Sequence, residues 1–485
     1  MSKNKSVLAI DLGATIGKVV KVAITGKKLE ISYLMKFPTG GTTLTTINGR
    51  YKVWNIVKFY ETICEIVEHT NIESIGIDSW GVDFALLDKR GRMLTLPQHY
   101  RDVHSQTALE KALEILGEEV LYKETGVKPM HINSLFRLYQ MVLEQDPLIY
   151  CASKFVMIPD LLHFWLSGSL CSEHTIASTS QCYSLPLRKW AYKVLEALNV
   201  PVYLFPELVG PGTYVGNFKG DKRIKVIVPA SHDTSSAVAA IPFDEPAIFI
   251  SCGTWAIIGI EHSEPVLCKE AMRNGFTNEG GISGILFIKN ATGMWLLDEC
   301  NRCLKLDFET LSSLAVQGRT FAGFIDPDDS MFFYEGNMID KINIYLCNTN
   351  QEPLSNPKDI VRLVLENLAL NYRFIIENLE KIIGLRSEKI YLIGGGAKNV
   401  FLNQSIADAL QRPVVACPWD GAAVGNALSQ LISLKEVSNI EEGRQLIRES
   451  LPIKTYYPNF EERIAWEEAY EKWKKITRGR FEEGL

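Results

Sequence analysis

The chain has 485 residues, 46% of them hydrophobic and 22% charged, with a formal net charge of −6. These values fit a globular protein with two or three hydrophobic cores, and a mild negative charge with no basic block argues against a nucleic-acid partner. No apolar stretch is long enough to span a bilayer and the N-terminus runs straight into a strand, so the expectation is no signal peptide, no membrane contact and a cytoplasmic location.

Ten scattered cysteines agree with a reducing compartment. The one Cys-x-x-Cys pair, Cys300 and Cys303, lies in a helical stretch with no histidine near it, so zinc is not expected there.

Residues 7–10 read as a strand, 11–18 as a glycine-bearing turn and 19–24 as a β-branched second strand. A turn between two strands is a hairpin, not a strand-to-helix phosphate loop. The spacing from Gly13 to Gly17 and Lys18 also misses Walker A, which needs four intervening residues and a Ser or Thr after the Lys. Such a turn would meet phosphate with backbone N–H groups, as an anion nest. Residues 57–68 carry the period of an amphipathic helix. A strand–turn–strand follows over residues 74–88, interrupted by Asp78, Trp80, Gly81 and Asp83. Polar groups inside a sheet need partners, which a polyhydroxylated ligand would supply, although both carboxylates also read as turn caps.

Residues 105–195 read as mostly helical and 199–220 as a Pro/Gly-rich loop. Val226 to Val228 form a short apolar strand ended by Pro229, and the small residues 235–240 begin a helix. His232, Asp233 and Thr234 sit on that strand-to-helix turn, where free N–H groups offer partial positive charge. Asp233 there has two readings, a helix N-cap or a proton acceptor. The second half opens with strand 247–250, turn 251–254 and strand 255–260, the same grammar as residues 7–24. Strand 389–393 then runs into Gly394, Gly395 and Gly396 and a helix over 397–410. That glycine run lets a ligand ring lie on the backbone, but it is not the dinucleotide fingerprint.

Asp11 to Ala14, Gly76 to Phe84, Ala230 to Thr234, Ser251 to Trp255, Asn278 to Gly281 and Gly394 to Gly396 occur in one collinear order. Together they resemble the FGGY carbohydrate kinases. The resemblance implies an α/β fold of two ribonuclease-H-like (actin-like ATPase) domains with an interdomain cleft. Residues 1–243 would bind the sugar and carry the first phosphate turn, and 244–485 would bind the nucleotide. The implied reaction is phosphoryl transfer from ATP, with Mg²⁺, to the 1-hydroxyl of a ketose. L-rhamnulose is the first expectation; L-fuculose, L-ribulose and D-xylulose are alternatives. A non-catalytic actin-like ATP- or sugar-binding protein is the contrasting reading. The oligomeric state is not legible.

By carry-over, Asp233 is the general base, and Gly81, Asp83, His232, Thr234 and Asn290 meet the ketose. Ala14, Thr15, Ile16, Gly17, Lys18 and Thr254 cradle the triphosphate, Gly395 and Asp298 lie near the nucleoside, and Asp11 holds Mg²⁺ through water. Three positions depart from the family. Lys18 stands where relatives usually carry Arg, keeping the charge without the bidentate fork. Asp298 stands where Gln is common; a carboxylate repels a triphosphate, so ribose or solvent is the expected neighbour. Cys252 replaces a common Ser and is expected to expose a thiol near ATP.

Overall fold

The computed structural model describes residues 5–478 apart from 48, 103 and 104. Strands β1 (Ser6–Leu12), β2 (Ile16–Thr25) and β3 (Lys28–Pro38) open the chain as an antiparallel meander. Helix α1 (Ile56–Glu68) leads to β4 (Ser74–Ser79), helix α2 (Ser134–Leu143) follows, and β5 (Thr213–Asn217) and β6 (Lys225–Val228) precede helix α3 (Asp233–Ala239). The meander recurs as β7 (Ile248–Cys252) and β8 (Trp255–His262), then β9 (Thr277–Gly280) and β10 (Ile285–Thr292). Helix α4 (Trp295–Leu304), helix α5 (Pro357–Ile383), β11 (Ile390–Ile393), helix α6 (Val400–Leu410), β12 (Val414–Cys417), helix α7 (Gly421–Ser433) and β13 (Lys454–Tyr456) carry the rest.

Two compact units result. The first holds residues up to Pro242 with 261–287 and 421–451; the second holds 243–260, 288–420 and the chain from Pro452. The first sheet runs β3-β2-β1-β4-β6-β5, and β10-β8-β7-β11-β12-β13 runs through the second. β1 is antiparallel to β2 and parallel to β4, while β4 is parallel to β6 and β6 antiparallel to β5. β7 likewise is antiparallel to β8 and parallel to β11, with β11 parallel to β12 and β12 antiparallel to β13. The repeat seen in two short hairpins therefore extends through both sheets.

Every residue of β1 is buried, as a strand flanked on both faces requires. Helix α1 turns Ile56, Phe59, Ile63 and Val67 inward at helical spacing, and the Asn55 side chain caps it by accepting from the Lys58 N–H. The 199–220 stretch is not all loop. Thr213–Asn217 pairs with β6 as the sheet edge, bulged between Tyr214 and Gly216, where Gly216 has φ 136°. Strand β2 also begins earlier than expected, so Ile16, Gly17 and Lys18 are strand residues and the turn is limited to Gly13, Ala14 and Thr15.

Helices α3 and α7 pack at backbone distance. A Cβ added to Gly425 would lie 1.7 Å from the Ser236 carbonyl oxygen. Gly425→Ala must therefore push α3 away, and we expect a loss of about 1–3 kcal/mol or more in unfolding free energy, together with reduced turnover because α3 begins at Asp233. Denaturant unfolding and steady-state kinetics check this; a variant with unchanged stability would show that the helices separate at no cost.

Candidate active site

Parallel strands β1, β4 and β6 present their carboxyl ends together, the place where open α/β sheets collect ligands. Asp11 on β1 is in register with Asp78 on β4. Beyond β6 the chain is tied to β4 by a bridge between Ser79 and His232, and the Ser79 N–H donates to the Ser231 carbonyl (2.9 Å). That tie sets Asp233 beside the other two carboxylates.

Asp11 and Asp78 are buried, at 4% and 0% exposure. Lys18 pairs with Asp11 Oδ2 at 3.0 Å. Asp78 Oδ2 accepts from the Asn426 amide (2.7 Å), and its Oδ1 has no hydrogen-bond partner. Burial first, then the charge of Asp11, holds the Asp78 carboxyl well above the usual carboxylate range; Asn426 and Lys18 oppose this only in part. Asn426 is itself held by Gln430, whose amide donates to the Asn426 Oδ1 (2.7 Å) and to the Leu8 carbonyl (3.0 Å).

Asp233 is the first residue of α3, and His232 occupies the N-cap position without a side-chain capping bond. The N-cap reading of Asp233 is thus corrected. Its side chain is 31% exposed, so it is reachable, and His232 Nε2 lies 3.4 Å from its Oδ1. The Thr234 hydroxyl donates to the same oxygen (3.3 Å) and is otherwise buried. A carboxylate at a helix start is expected to stay ionised, yet here desolvation first raises its pKa; His232 lowers it and Asp11 raises it again. Burial and Asp11 therefore outweigh His232 and the Thr234 N–H of the helix start.

The first turn is fastened by Thr39, whose N–H donates to the Thr15 carbonyl (3.0 Å) and whose hydroxyl donates to the Gly13 carbonyl. Ala14 is half-buried, Thr15 and Ile16 are exposed, and Gly17 is buried. A Cβ on Gly81 would lie 2.8–2.9 Å from three Thr179 side-chain atoms, so only glycine fits. The next residue, Val82, has φ 66°, a strained conformation for a β-branched side chain of the kind that gathers at functional sites. Its N–H donates to Thr179 Oγ1 (2.9 Å) and its carbonyl accepts from Ser134 Oγ (2.6 Å).

Asp83, expected at the substrate, is fully buried and committed to the scaffold. Its Oδ2 accepts from the indoles of Trp54 (2.6 Å) and Trp80 (2.9 Å), and its Oδ1 from the Arg137 guanidinium. The ring of Trp54 stacks on those of Trp80 and His99.

In the second unit, Thr254 lies exposed on the turn between β7 and β8, Asp298 is exposed in the first turn of α4, and Gly395 is exposed in the short turn after β11. A Cβ on Gly395 would meet nothing within 4 Å. These segments converge on Cys252: the Met294 N–H, just before α4, donates to the Gly253 carbonyl (2.8 Å), and a Cβ on Gly396 would strike Cys252 Sγ at 2.4 Å. Partial burial and then Glu299 raise the Asp298 carboxyl. Asn290 is exposed on β10. The expectation of an exposed Cys252 thiol is corrected: the residue is fully buried beside the Tyr372 hydroxyl (3.7 Å), and burial pushes its thiol up to about 11. The Gly396 backbone packs directly against this sulfur.

Sequence reasoning assigned no role to Arg137, Thr179, Asn426 or Glu279, which packing brings to the site from distant segments. Among the described residues no cluster of three or more metal-ligating side chains exists. Mg²⁺ keeps most of its waters and needs only one or two carboxylates beside phosphate oxygens, and Asp11 next to the orphaned Asp78 Oδ1 fits that demand. No helix among the described residues is long and apolar enough to cross a membrane.

Family models of the FGGY carbohydrate kinases match the chain twice, the N-terminal domain over residues 6–239 and the C-terminal domain over 248–434. A rhamnulokinase of Bacteroides thetaiotaomicron is 36% identical over 486 residues, covering 97% of this chain and 99% of its own. One of Bacillus subtilis is 33% identical over 466 residues, covering 93% and 95%. The solved structure of a ligand-bound xylulose kinase from Lactobacillus acidophilus superposes with a TM-score of 0.78 at 16% identity, over 97% of each chain. Plasmodium falciparum glycerol kinase with ADP superposes with a TM-score of 0.78 at 15% identity, over 98% of each. The two-domain ribonuclease-H-like fold expected from the motifs is thereby found.

Proposed function

The chain belongs to the FGGY family of carbohydrate kinases and is an ATP-dependent sugar kinase, and from that premise we propose that it phosphorylates the 1-hydroxyl of L-rhamnulose in L-rhamnose catabolism. The observation that carries the mechanism is Asp233, partly exposed at the carboxyl ends of β4 and β6 between His232 and the Asp11/Asp78 pair. Full-length similarity to rhamnulokinases supports the choice of sugar.

Asp233 accepts the proton of the sugar hydroxyl as that oxygen forms its bond to the γ-phosphorus. The bond from that phosphorus to the bridging oxygen breaks, and ADP leaves. Such a transfer needs alignment and charge neutralisation more than covalent help. Gly81 meets the sugar with its backbone, the narrow fit against Thr179 keeping the approach open, and His232, Thr234 and Asn290 complete the sugar contacts. Asp83 serves by holding Trp80 and Arg137 around this wall. Ala14, Thr15, Ile16, Gly17, Lys18 and Thr254 take the triphosphate, with Gly395 and the ribose-facing Asp298 at the nucleoside. Mg²⁺, when bound with ATP, would offset phosphate charge from Asp11 through water. In this reading residues 1–243 carry most of the sugar contacts and the first phosphate turn, residues 244–485 bind the nucleotide and add Asn290, and the enzyme works in the cytoplasm.

The test is ADP release from Mg-ATP with L-rhamnulose, L-fuculose, L-ribulose and D-xylulose. L-rhamnulose is expected to lead in kcat/KM by about tenfold or more. A higher value for any other ketose overturns the substrate assignment and leaves the kinase class untouched.

A further inference from the structure

The segment Asn278 to Gly281 has no part in the reaction as drawn, yet it is pinned at both ends. The Asn278 side chain accepts from the Val266 N–H (2.8 Å) and donates to the Gly126 (2.8 Å) and Val266 (3.0 Å) carbonyls. The Gly280 N–H donates to Ser178 Oγ (2.8 Å), and its carbonyl accepts from Ser235 Oγ (2.6 Å), on α3 itself. A Cβ on Gly280 would lie 2.9 Å from His174 Nδ1 and 3.0 Å from Thr175 Cα, so the strand approaches as closely as only glycine permits.

Between these pins Glu279 reaches the turn before α3. Its Oε2 lies 3.0 Å from His232 Nδ1, with the two side chains 13% and 8% exposed. Neither atom has an aligned hydrogen-bond partner among the described residues, so the two face each other as a close ion-pair contact. The opposite ring nitrogen, Nε2, faces Asp233 Oδ1 at 3.4 Å. The backbone of His232 is fixed independently, its N–H donating to Thr175 Oγ1 (3.1 Å), whose hydroxyl donates to Glu173.

We propose that Glu279 is a positioning residue, which holds the His232 ring with Nδ1 on its own carboxylate and Nε2 on the Asp233 oxygen. The inference rests on Asp233 being the proton acceptor. A buried carboxylate is costly unless paired, and an imidazole swings freely unless one nitrogen is anchored. Each solves the other's problem. The charges that face the ring are Glu279 from β9, Asp233 from α3 and Glu173. Burial alone would lower the imidazole pKa, but Glu279 first, then Asp233 and Glu173, carry it up to about 9. A cationic ring then draws down the Asp233 carboxyl, which burial and Asp11 push up.

The sign follows. Without the Glu279 charge the ring is neutral at lower pH, Asp233 loses its nearest cation, and a higher pH is needed to ionise it. Glu279→Gln, an isosteric change, is expected to shift the acid limb of kcat/KM toward higher pH and to lower kcat about tenfold at neutral pH, with KM for ATP unchanged. Glu279→Asp should recover part of the loss. His232→Gln should show the same shifted limb, and the double variant should be no worse than the worse single one, because both act through one chain. Nitrogen-15 shifts of the His232 ring should show a cation at neutral pH in the native enzyme and a lower titration in Glu279→Gln. An unmoved acid limb and unchanged ring titration in Glu279→Gln, or losses that add in the double variant, overturn the inference. If Asp233→Asn keeps its turnover, the proton-acceptor reading falls first; if Asp233→Asn is inactive while the limb stays put, only the role of Glu279 falls.

Discussion

Asp233→Asn is expected to lower turnover by about 10²–10⁴-fold while ATP and the sugar still bind. Asn keeps the size of the side chain and can still accept from the Thr234 hydroxyl, but it cannot take a proton. ATP affinity should hold or tighten, because Asp233 adds to the repulsion that raises Asp78, and that charge is removed. Steady-state ADP release with calorimetric binding of each substrate separates the two effects. Turnover within a few-fold of the native enzyme would remove Asp233 from the mechanism. In the native enzyme, activity should fall as pH drops through a carboxyl pKa that lies above the ordinary value of about 3.9.

Arg137→Met is expected to destabilise the first unit by about 3–5 kcal/mol, the usual consequence of leaving one member of a buried ion pair alone. Asp83 is fully buried and Arg137 is 6% exposed. The guanidinium also donates to the Gln98 carbonyl (2.9 Å) and lies over the Phe84 ring at 4.8 Å. Met replaces the apolar stem but not the charge. Burial already raises the Asp83 carboxyl, with Arg137 the first of the groups that lower it. Without Arg137 its folded-state pKa rises further above the unfolded value. A group shifted that way favours the folded state below its unfolded pKa and loses that contribution as pH rises through the folded pKa, so the penalty should grow as pH rises above the unfolded value of about 3.9. Urea unfolding followed by tryptophan emission reports it directly, since Trp54 and Trp80 donate to Asp83. A loss below about 1 kcal/mol, or one independent of pH, would show that the pair is not what holds this wall. Asp83→Asn in the same background should restore part of the loss.

Much of the architecture is legible in the sequence. Val7 to Ile10 and Val226 to Val228 are apolar runs too short for helices, and the two hairpins repeat one pattern of strand, small turn and strand. The turn expected over residues 11–18 is shorter in the structure because Ile16 and Lys18, though exposed or half-exposed, are held in the ladder by β3, and Lys18 also by β1. Pairing across strands, not composition, extends β2 to that point. Thr213–Asn217 looks like loop in the sequence for the converse reason, since Pro and Gly mask a sheet edge that only β6 creates.

Chemistry divided along the same line. Residue type and order by themselves determined the sugar-kinase family, the strand-to-helix turn bearing Asp233 and the glycines that must approach a neighbour, because these depend on local backbone geometry and short spacing. Charge state, accessibility and partnership were decided only by tertiary structure. Asp83 and Arg137, 54 positions apart, neutralise each other in the interior, and Asn426 reaches Asp78 across 348 positions. Cys252 is buried against the backbone of Gly396, and the ionisation of Asp233 is opposed by burial and by Asp11 and favoured by His232. The physical reason is that desolvation and Coulomb interactions depend on distance through space and on excluded water. Neither quantity exists until distant segments have packed.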